Sequence, residues 1–312
     1  MINRPVIIAS RGSKLALYQA NKVKDELEKV FPHKAFEIQI IKTKGDKILD
    51  VALSKIGDKG LFTKELENSL LEYNADLAVH SLKDMPTALP EGLALGGVLE
   101  RGEVRDALVS IKGKKLSELD ETDVVATSSL RRKAQLLHMN KKLKIVDIRG
   151  NVETRLQKMT DGYCTAMIMA GAGLQRLGYN DKITEIIDSS VMIPAVSQGA
   201  IAIEIRENDL EIKSLVDEIC HLPTLVAVKA ERAFLNTLEG GCQIPIGCHS
   251  RIGHGSFKIT GFVANLDGSV MLKESMEGDL CDATKISIKL AERFLELGAK
   301  NIIENIRAFN NI

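Results

Sequence analysis

Six arginines sit in or just beyond polar corners that follow short apolar runs: Arg11, Arg131, Arg132, Arg149, Arg155 and Arg176. A guanidinium presents a planar fork of donors that can grip a carboxylate or phosphate through two parallel bonds. A helix start capped by Ser or Thr adds backbone N–H groups for the same ligand. One such arginine is ordinarily a solvated surface residue, but six at equivalent corners point to a polyanionic ligand. A second cluster, Leu77-Ala78-Val79-His80-Ser81-Leu82-Lys83-Asp84-Met85-Pro86, ends an apolar strand in a dense polar run stopped by proline. A carboxylate there, beside Lys83, can stay ionised, stabilise a cation or exchange a proton with a leaving group, which makes Asp84 the candidate acid–base or electrostatic residue. A turn ion pair between Lys83 and Asp84 accounts for these two residues equally well, and His80 reads as a satisfied core histidine. The third cluster, Glu239-Gly240-Gly241-Cys242-Gln243-Ile244-Pro245-Ile246-Gly247, presents a thiol on a flexible loop, a candidate nucleophile or attachment point. Cys164, Cys220 and Cys281 read as small core hydrophobes. Cys242, Cys248, His249 and His254 could be taken as metal ligands, but their spacing matches none of the common tight zinc pairs, so no metal is expected.

These groups need a scaffold that repeats a corner, and the first two thirds of the chain repeats one grammar: short apolar strand, polar corner, amphipathic helix. Val6-Ile7-Ile8-Ala9 runs into Ser10-Arg11-Gly12-Ser13, after which Ala16, Ala20, Val23, Leu27 and Val30 mark one helical face. Asp123 to Ala126 precedes Thr127-Ser128-Ser129 and a helix, Leu143 to Ile148 precedes Arg149-Gly150-Asn151 and another, and Ala166 to Met169 meets Ala170-Gly171-Ala172-Gly173. Such alternation predicts parallel sheets with helices on both faces, and ligands at the carboxyl ends of the strands. Beyond about residue 220 the grammar changes to a helix over Leu222 to Leu238, a hairpin around Asn265-Leu266-Asp267-Gly268-Ser269 and a final helix over Ala283 to Leu297, a smaller α+β unit. A first boundary is expected near Leu99 to Arg105.

The chain has 312 residues, with 42 Lys+Arg balanced by 42 Asp+Glu, which removes the electrostatic argument for a dedicated nucleic-acid or membrane-surface binder. No apolar run approaches the roughly 20 residues of a membrane span, and the first residues lack a signal-peptide layout, so a cytoplasmic protein is expected. Five cysteines with no Cys-x-x-Cys argue against a disulfide framework. The absence of Trp leaves few stacking platforms for bases.

Taken together, the clusters resemble the porphobilinogen deaminase family of tetrapyrrole biosynthesis, also called hydroxymethylbilane synthases. The likeness covers nearly the whole chain and rests on Ser10-Arg11-Gly12-Ser13-Lys14-Leu15-Ala16, Val79 to Pro86, Thr127-Ser128-Ser129-Leu130-Arg131-Arg132, Arg149-Gly150-Asn151-Val152 with Thr154-Arg155, Ser197-Gln198-Gly199-Ala200 and Gly241-Cys242. It implies an α/β fold of three domains: two doubly wound lobes resembling type II periplasmic binding proteins, over about 3–99 plus 196–217 and 100–195, and a small C-terminal α+β domain over 218–312. It further implies that Cys242 carries a dipyrromethane cofactor through a thioether, onto which four porphobilinogen units are added head to tail before hydrolysis releases hydroxymethylbilane. Each porphobilinogen brings an acetate and a propionate, which is why a growing chain would need fixed arginine forks. Loss of ammonia leaves an electron-poor azafulvene, and a carboxylate such as Asp84 would stabilise the cationic pyrrole formed when it is attacked.

By the same resemblance, cofactor and substrate carboxylates fall near Arg11, Ser13, Lys83, Thr127, Ser129, Arg131, Arg132, Arg149, Gly150, Asn151, Arg155 and Arg176, with Gln19 and Gln198 as weaker candidates. The partner is the small molecule porphobilinogen, with neither nucleic acid nor membrane, and the family suggests a monomer. Cys248-His249 departs from the small or aliphatic residues expected after the cofactor loop. A non-catalytic, two-lobed binding protein for a polycarboxylate or phosphate would also use an arginine-lined cleft, but it needs neither Asp84 nor a thiol-bearing third domain.

Overall fold

The computed structural model describes residues 4–47, 60–240 and 243–310. The described residues divide between two compact units, one drawn from 4–47, 60–102 and 199–225, the other from 103–198, 226–240 and 243–310. Three sheets lie within them.

The first unit holds a five-stranded sheet in the order β2 (Phe36–Ile40), β1 (Val6–Ser10), β3 (Leu77–Ser81), β10 (Ile201–Arg206), β4 (Leu93–Val98). Strands β1, β2 and β3 are parallel, and α1 (Lys14–Val30) seats Ala16, Ala20, Val23 and Leu27 on the sheet at the predicted helical spacing. One expectation is corrected: the sheet is mixed, because β10 runs antiparallel to both β3 and β4. The chain reaches β10 directly from the other unit's segment, without the crossover helix that would bring it round in the parallel sense. Beyond α1 this unit carries α2 (Lys44–Lys47), α3 (Lys64–Leu71) and, after β10, a helix over Leu210–Ile219.

The second unit's larger sheet runs β7 (Lys144–Val146), β6 (Val124–Ala126), β8 (Ala166–Ala170), β5 (Asp106–Ser110), β9 (Glu185–Ile186). Strands β7, β6 and β8 are parallel, whereas β5 again runs antiparallel to its neighbour. Its helices are α4 (Leu130–Met139), α5 (Val152–Thr160) and α6 (Gly171–Arg176). Each lobe is therefore a sheet with helices, two such lobes in all.

The C-terminal region is an antiparallel meander of β11 (Ile246–Gly253), β12 (Ser256–Ala264) and β13 (Met271–Asp279), with helices over Leu222–Thr237, Ala283–Glu296 and Ala299–Asn310. Its core is aromatic: the Phe234 and Phe294 rings meet edge-on with centroids 5.5 Å apart, and a Cβ at Gly261 would lie 2.6 Å from the Phe234 ring. The hairpin turn forms as predicted, and Gly268 presses against α4, where a Cβ would come within 2.3 Å of the Ala134 carbonyl. Strand β11 and the last helix are additions to what the sequence suggested.

Candidate active site

In the first unit, β1 and β3 are parallel neighbours, so the corners that follow them open side by side. The first corner supplies Arg11 and Ser13. Ser13 caps α1, its Oγ accepting from the Ala16 N–H at 3.3 Å, so the free N–H groups of the helix start point into the corner. The second corner is a 3₁₀ turn over Leu82–Asp84, closed where Pro86 forbids a longer helix. Arg11, Ser13, Gln19, His80, Ser81 and Asp84 line one pocket there.

The pocket's polar groups are held rather than merely present. Arg11 lies 4.2 Å above the Phe62 ring and pairs with Asp46, which also accepts from Thr43 Oγ1 at 2.8 Å. Burial opposes ionisation of Asp46, but the Arg11 guanidinium prevails and keeps its carboxyl below the usual carboxylate range. Buried Gln19 donates to Ser81 Oγ at 2.8 Å, bracing α1 against β3. Asp84 is exposed and lines the pocket.

In the second unit the parallel strands β7, β6 and β8 likewise gather their corners at one sheet edge. Thr127 and Ser129 follow β6, Arg149, Gly150 and Asn151 follow β7, and Arg176 ends α6 after β8. Ser128 Oγ donates to the Ile148 carbonyl at 2.8 Å and accepts from the Ile148 N–H at 2.9 Å, locking two corners together. Ser129 caps α4, and Asn151 caps α5 by accepting from the Thr154 N–H at 2.8 Å. Arg155 reaches back to the Gly150 carbonyl at 2.8 Å. Gly150 has φ 113, and a Cβ there would meet Thr154 at 2.7 Å, so the corner requires glycine. Burial pushes the Arg149 guanidinium below its ordinary value, a penalty that a bound anion offsets.

Arg131 and Arg132 point inward. Asp106, fully buried at the start of β5, lies 2.8 Å from each guanidinium, and Gln198 Nε2 donates to the same carboxylate at 2.9 Å. Arg131 also donates to the Ile193 carbonyl at 2.6 Å and Arg132 to the Ile168 carbonyl at 3.1 Å. Burial opposes the charge on Asp106, yet the two guanidinium groups hold its carboxyl well below the ordinary range. Both arginines are therefore fixed in direction, with part of their donor capacity committed inside the protein.

Sequence reasoning missed Asp106, Asp46 and Glu231. Glu231 is fully buried and accepts from Ser197 N at 2.8 Å, Ser250 N at 3.0 Å and Ser250 Oγ at 2.7 Å, tying the helix over 222–237 to β11 and to the segment before Gln198. The available signal was an acidic residue bordering apolar ones, Asp106 before Ala107-Leu108-Val109 and Glu231 after Ala230, since buried charges demand partners.

The cysteines sort differently from expectation in one case. Cys164 is buried, and burial pushes its thiol up to about 11; Cys220 is half-buried against Gly97. Cys281, expected in a core, is exposed, because it falls in the 3₁₀ turn linking β13 to the next helix. Cys248 is buried with its sulfur 3.8 Å from the Glu231 carbonyl, whereas Cys242 lies outside the described residues.

Residues 6–214 match the family model described as porphobilinogen deaminase, dipyromethane cofactor binding domain, and residues 225–296 match porphobilinogen deaminase, C-terminal domain. A porphobilinogen deaminase of Carboxydothermus hydrogenoformans is 49% identical over 306 residues, covering 98% of each chain. One of Desulforamulus reducens is 48% identical over 97% of this chain and 98% of its own. One of Synechococcus elongatus is 49% identical over 98% and 96%. Among solved structures, a TRAP periplasmic solute binding protein of Desulfovibrio salexigens is similar over 72% of this chain and 74% of its own, at 11% identity and a TM-score of 0.44. With one family model spanning most of the chain and relatives near half-identical along its length, the chain belongs to the porphobilinogen deaminase family.

Proposed function

We propose that this protein condenses four porphobilinogen molecules head to tail on a dipyrromethane primer and releases hydroxymethylbilane, with Asp84 as the catalytic carboxylate and Cys242 as the attachment point. The observation that supports it best is the pocket in which Arg11, Ser13 and Asp84 converge, within the span matched to the dipyromethane-binding family model. That donor set fits an acidic pyrrole: cationic and N–H donors for its carboxylates, and one carboxylate for its ring nitrogen. When bound, the dipyrromethane supplies a pyrrole carbon able to form the new bond and carboxylates that need cationic partners.

The chain's own residues do the rest. Arg11, kept rigid by Asp46 and Phe62, and Ser13, at the start of α1, bind substrate carboxylates. Asp84 faces the substrate's pyrrole nitrogen and stabilises positive charge there as the carbon–nitrogen bond breaks and ammonia leaves. Lys83, Thr127, Ser129, Arg131, Arg132, Arg149, Arg155 and Arg176, with the Gly150 and Asn151 backbone, receive the remaining carboxylates, while Gln19 and Gln198 act by holding Ser81 and Asp106. The reading includes a three-domain division near residues 99, 195 and 217, and a monomer working in the cytoplasm. No helix among the described residues is long and apolar enough to cross a membrane. Incubation with porphobilinogen tests the proposal: one ammonia per porphobilinogen consumed and a linear tetrapyrrole product are expected, and binding without ammonia release would refute it.

A further inference from the structure

We propose that His80 is a proton carrier of this pocket, held through Nε2 by the buried Glu204 and offering Nδ1 to the cavity that Asp84 lines; the proposal rests on the functional reading above. His80 sits one residue before Ser81 on β3, almost wholly buried, yet it lines the pocket. Its Nε2 lies 2.9 Å from Glu204 Oε2. Glu204 belongs to the antiparallel neighbour β10, where Ala202 stands opposite His80, so the carboxylate reaches the ring from two residues along the same sheet face.

A histidine present only to fill the core would end with its polar neighbours satisfied. Here the count runs the other way. Glu204 is fully buried in the run Ile201-Ala202-Ile203-Glu204-Ile205, and its Oε1 has no hydrogen-bond partner among the described residues. Glu67, buried on α3, has the same surplus at Oε1. Two buried carboxylates thus flank one imidazole, a cluster with more acceptors than donors that is suited to holding an extra proton. Burial pushes the Glu67 carboxyl up, with the Glu204 charge adding to that and Thr63, His80 and Lys64 opposing it. The other charged groups that line the pocket with the ring are Asp84 from the 3₁₀ turn and Arg11, already paired with Asp46, from the first corner.

The tautomer follows from the partner. A carboxylate accepts, so Nε2 carries the hydrogen and Nδ1 of the neutral ring keeps its lone pair, the arrangement by which a buried carboxylate orients a catalytic imidazole. No described residue hydrogen-bonds Nδ1. In each addition the aminomethyl group, carried as its ammonium form, loses its carbon–nitrogen bond with the electron pair going to nitrogen, so that ammonia is released, and a carbon–carbon bond then forms to a pyrrole carbon that sheds one proton. His80 Nδ1 takes that proton and yields it to the departing ammonia, which leaves as ammonium, so the ring is neutral again before the next addition. Asp84 handles charge, His80 the proton, and Glu204 is a positioning residue.

The test uses the holoenzyme and its His80→Gln and Glu204→Gln variants, following single additions by intact mass across pH. His80→Gln should keep the wild-type holoenzyme mass, slow an addition roughly 100- to 10,000-fold, and change the shape of the pH–rate profile. Glu204→Gln should slow an addition less than His80→Gln does and alter the pH–rate profile less. Nitrogen-15 NMR of ring-labelled histidine, recorded on wild type, should find the His80 hydrogen on Nε2. A His80→Gln enzyme with the wild-type profile, or a neutral ring with its hydrogen on Nδ1, overturns the proposal even if a variant fails to fold. A wild type that works while His80→Gln keeps its profile sinks this proposal alone, whereas a wild type that releases no ammonia sinks the functional reading with it.

Discussion

The Arg132 guanidinium closes on Asp106 with two nitrogens, Nε at 3.1 Å and Nη2 at 2.8 Å, around a carboxylate that has no exposure to solvent. Arg131 meets the other carboxylate oxygen at 2.8 Å, so one aspartate sets the direction of two arginines next to each other on α4.

Asp106→Asn keeps the side chain's shape and removes its charge, leaving two buried guanidinium groups without a counter-ion. Breaking such a pair from one side costs about 3 to 5 kcal/mol. Urea unfolding should show a loss of that order, and the folded fraction should load less dipyrromethane. Gln198→Leu removes a neutral donor to the same oxygen and to the Val104 carbonyl but leaves the ion pairs in place, and should cost less, about 1 to 3 kcal/mol. Equal midpoints for Asp106→Asn and wild type would mean that the pair does not organise the arginines.

Acid stability follows from the same residue and from Asp76. Burial opposes ionisation of both, but Arg131 and Arg132 hold the Asp106 carboxyl low, and Arg4, with the Ile7 N–H at 2.8 Å, does so for Asp76. A carboxyl lowered in the folded state stabilises fully above its unfolded value, about 3.9, and that stability drains away as pH falls below it toward the folded value. Unfolding free energy should thus be flat on this account above about pH 5 and fall steeply under pH 4, with Asp106→Asn showing a shallower fall. Parallel acid limbs for the two proteins would assign the acid sensitivity elsewhere.

The corner at Gly150 can be tested against a control. Gly162 also has positive φ, 86, but a Cβ there meets nothing within 4 Å, so Gly162→Ala should cost about 1 to 2 kcal/mol from the backbone conformation alone. Gly150→Ala adds the contact with Thr154 and should cost more, while also slowing turnover by shifting Arg149 and the Asn151 cap. Identical stability and turnover in the two alanine variants would show that the corner does not need its glycine.

Asp84 should matter for chemistry and little for stability, since it is exposed. Asp84→Asn should lower turnover roughly 100-fold or more and leave unfolding within about 0.5 kcal/mol of wild type. Asp84→Glu keeps the charge one methylene away and should retain more activity. A destabilised Asp84→Asn enzyme with near-normal turnover would return the residue to a structural role.

The ligand corners were legible because they are local: Ser13, Ser129 and Asn151 cap helices a few residues from the strands they follow, so the polar residues announce both the helix start and the place. What holds them was not. Gln198 and Asp106 are 92 positions apart and His80 and Glu204 are 124 apart, so a lone acidic residue in an apolar run reveals its need for a partner without naming it. The antiparallel entry of β10 and β5 escaped for a related reason, since periodicity sets which face a strand buries but not its direction. In β11, Gly247 and the polar Cys248-His249-Ser250-Arg251 masked a strand whose Cys248 and Ser250 are in fact buried.

The central claim, a covalent dipyrromethane on Cys242, is tested most directly by intact mass under denaturing conditions. The account predicts that the wild-type protein is heavier than its 34.2 kDa polypeptide by one dipyrromethane, that Cys242→Ala has the bare polypeptide mass, and that Cys164→Ala, Cys220→Ala and Cys281→Ala keep the increment. A bare mass in active wild-type enzyme, or an unchanged increment in Cys242→Ala, would contradict it.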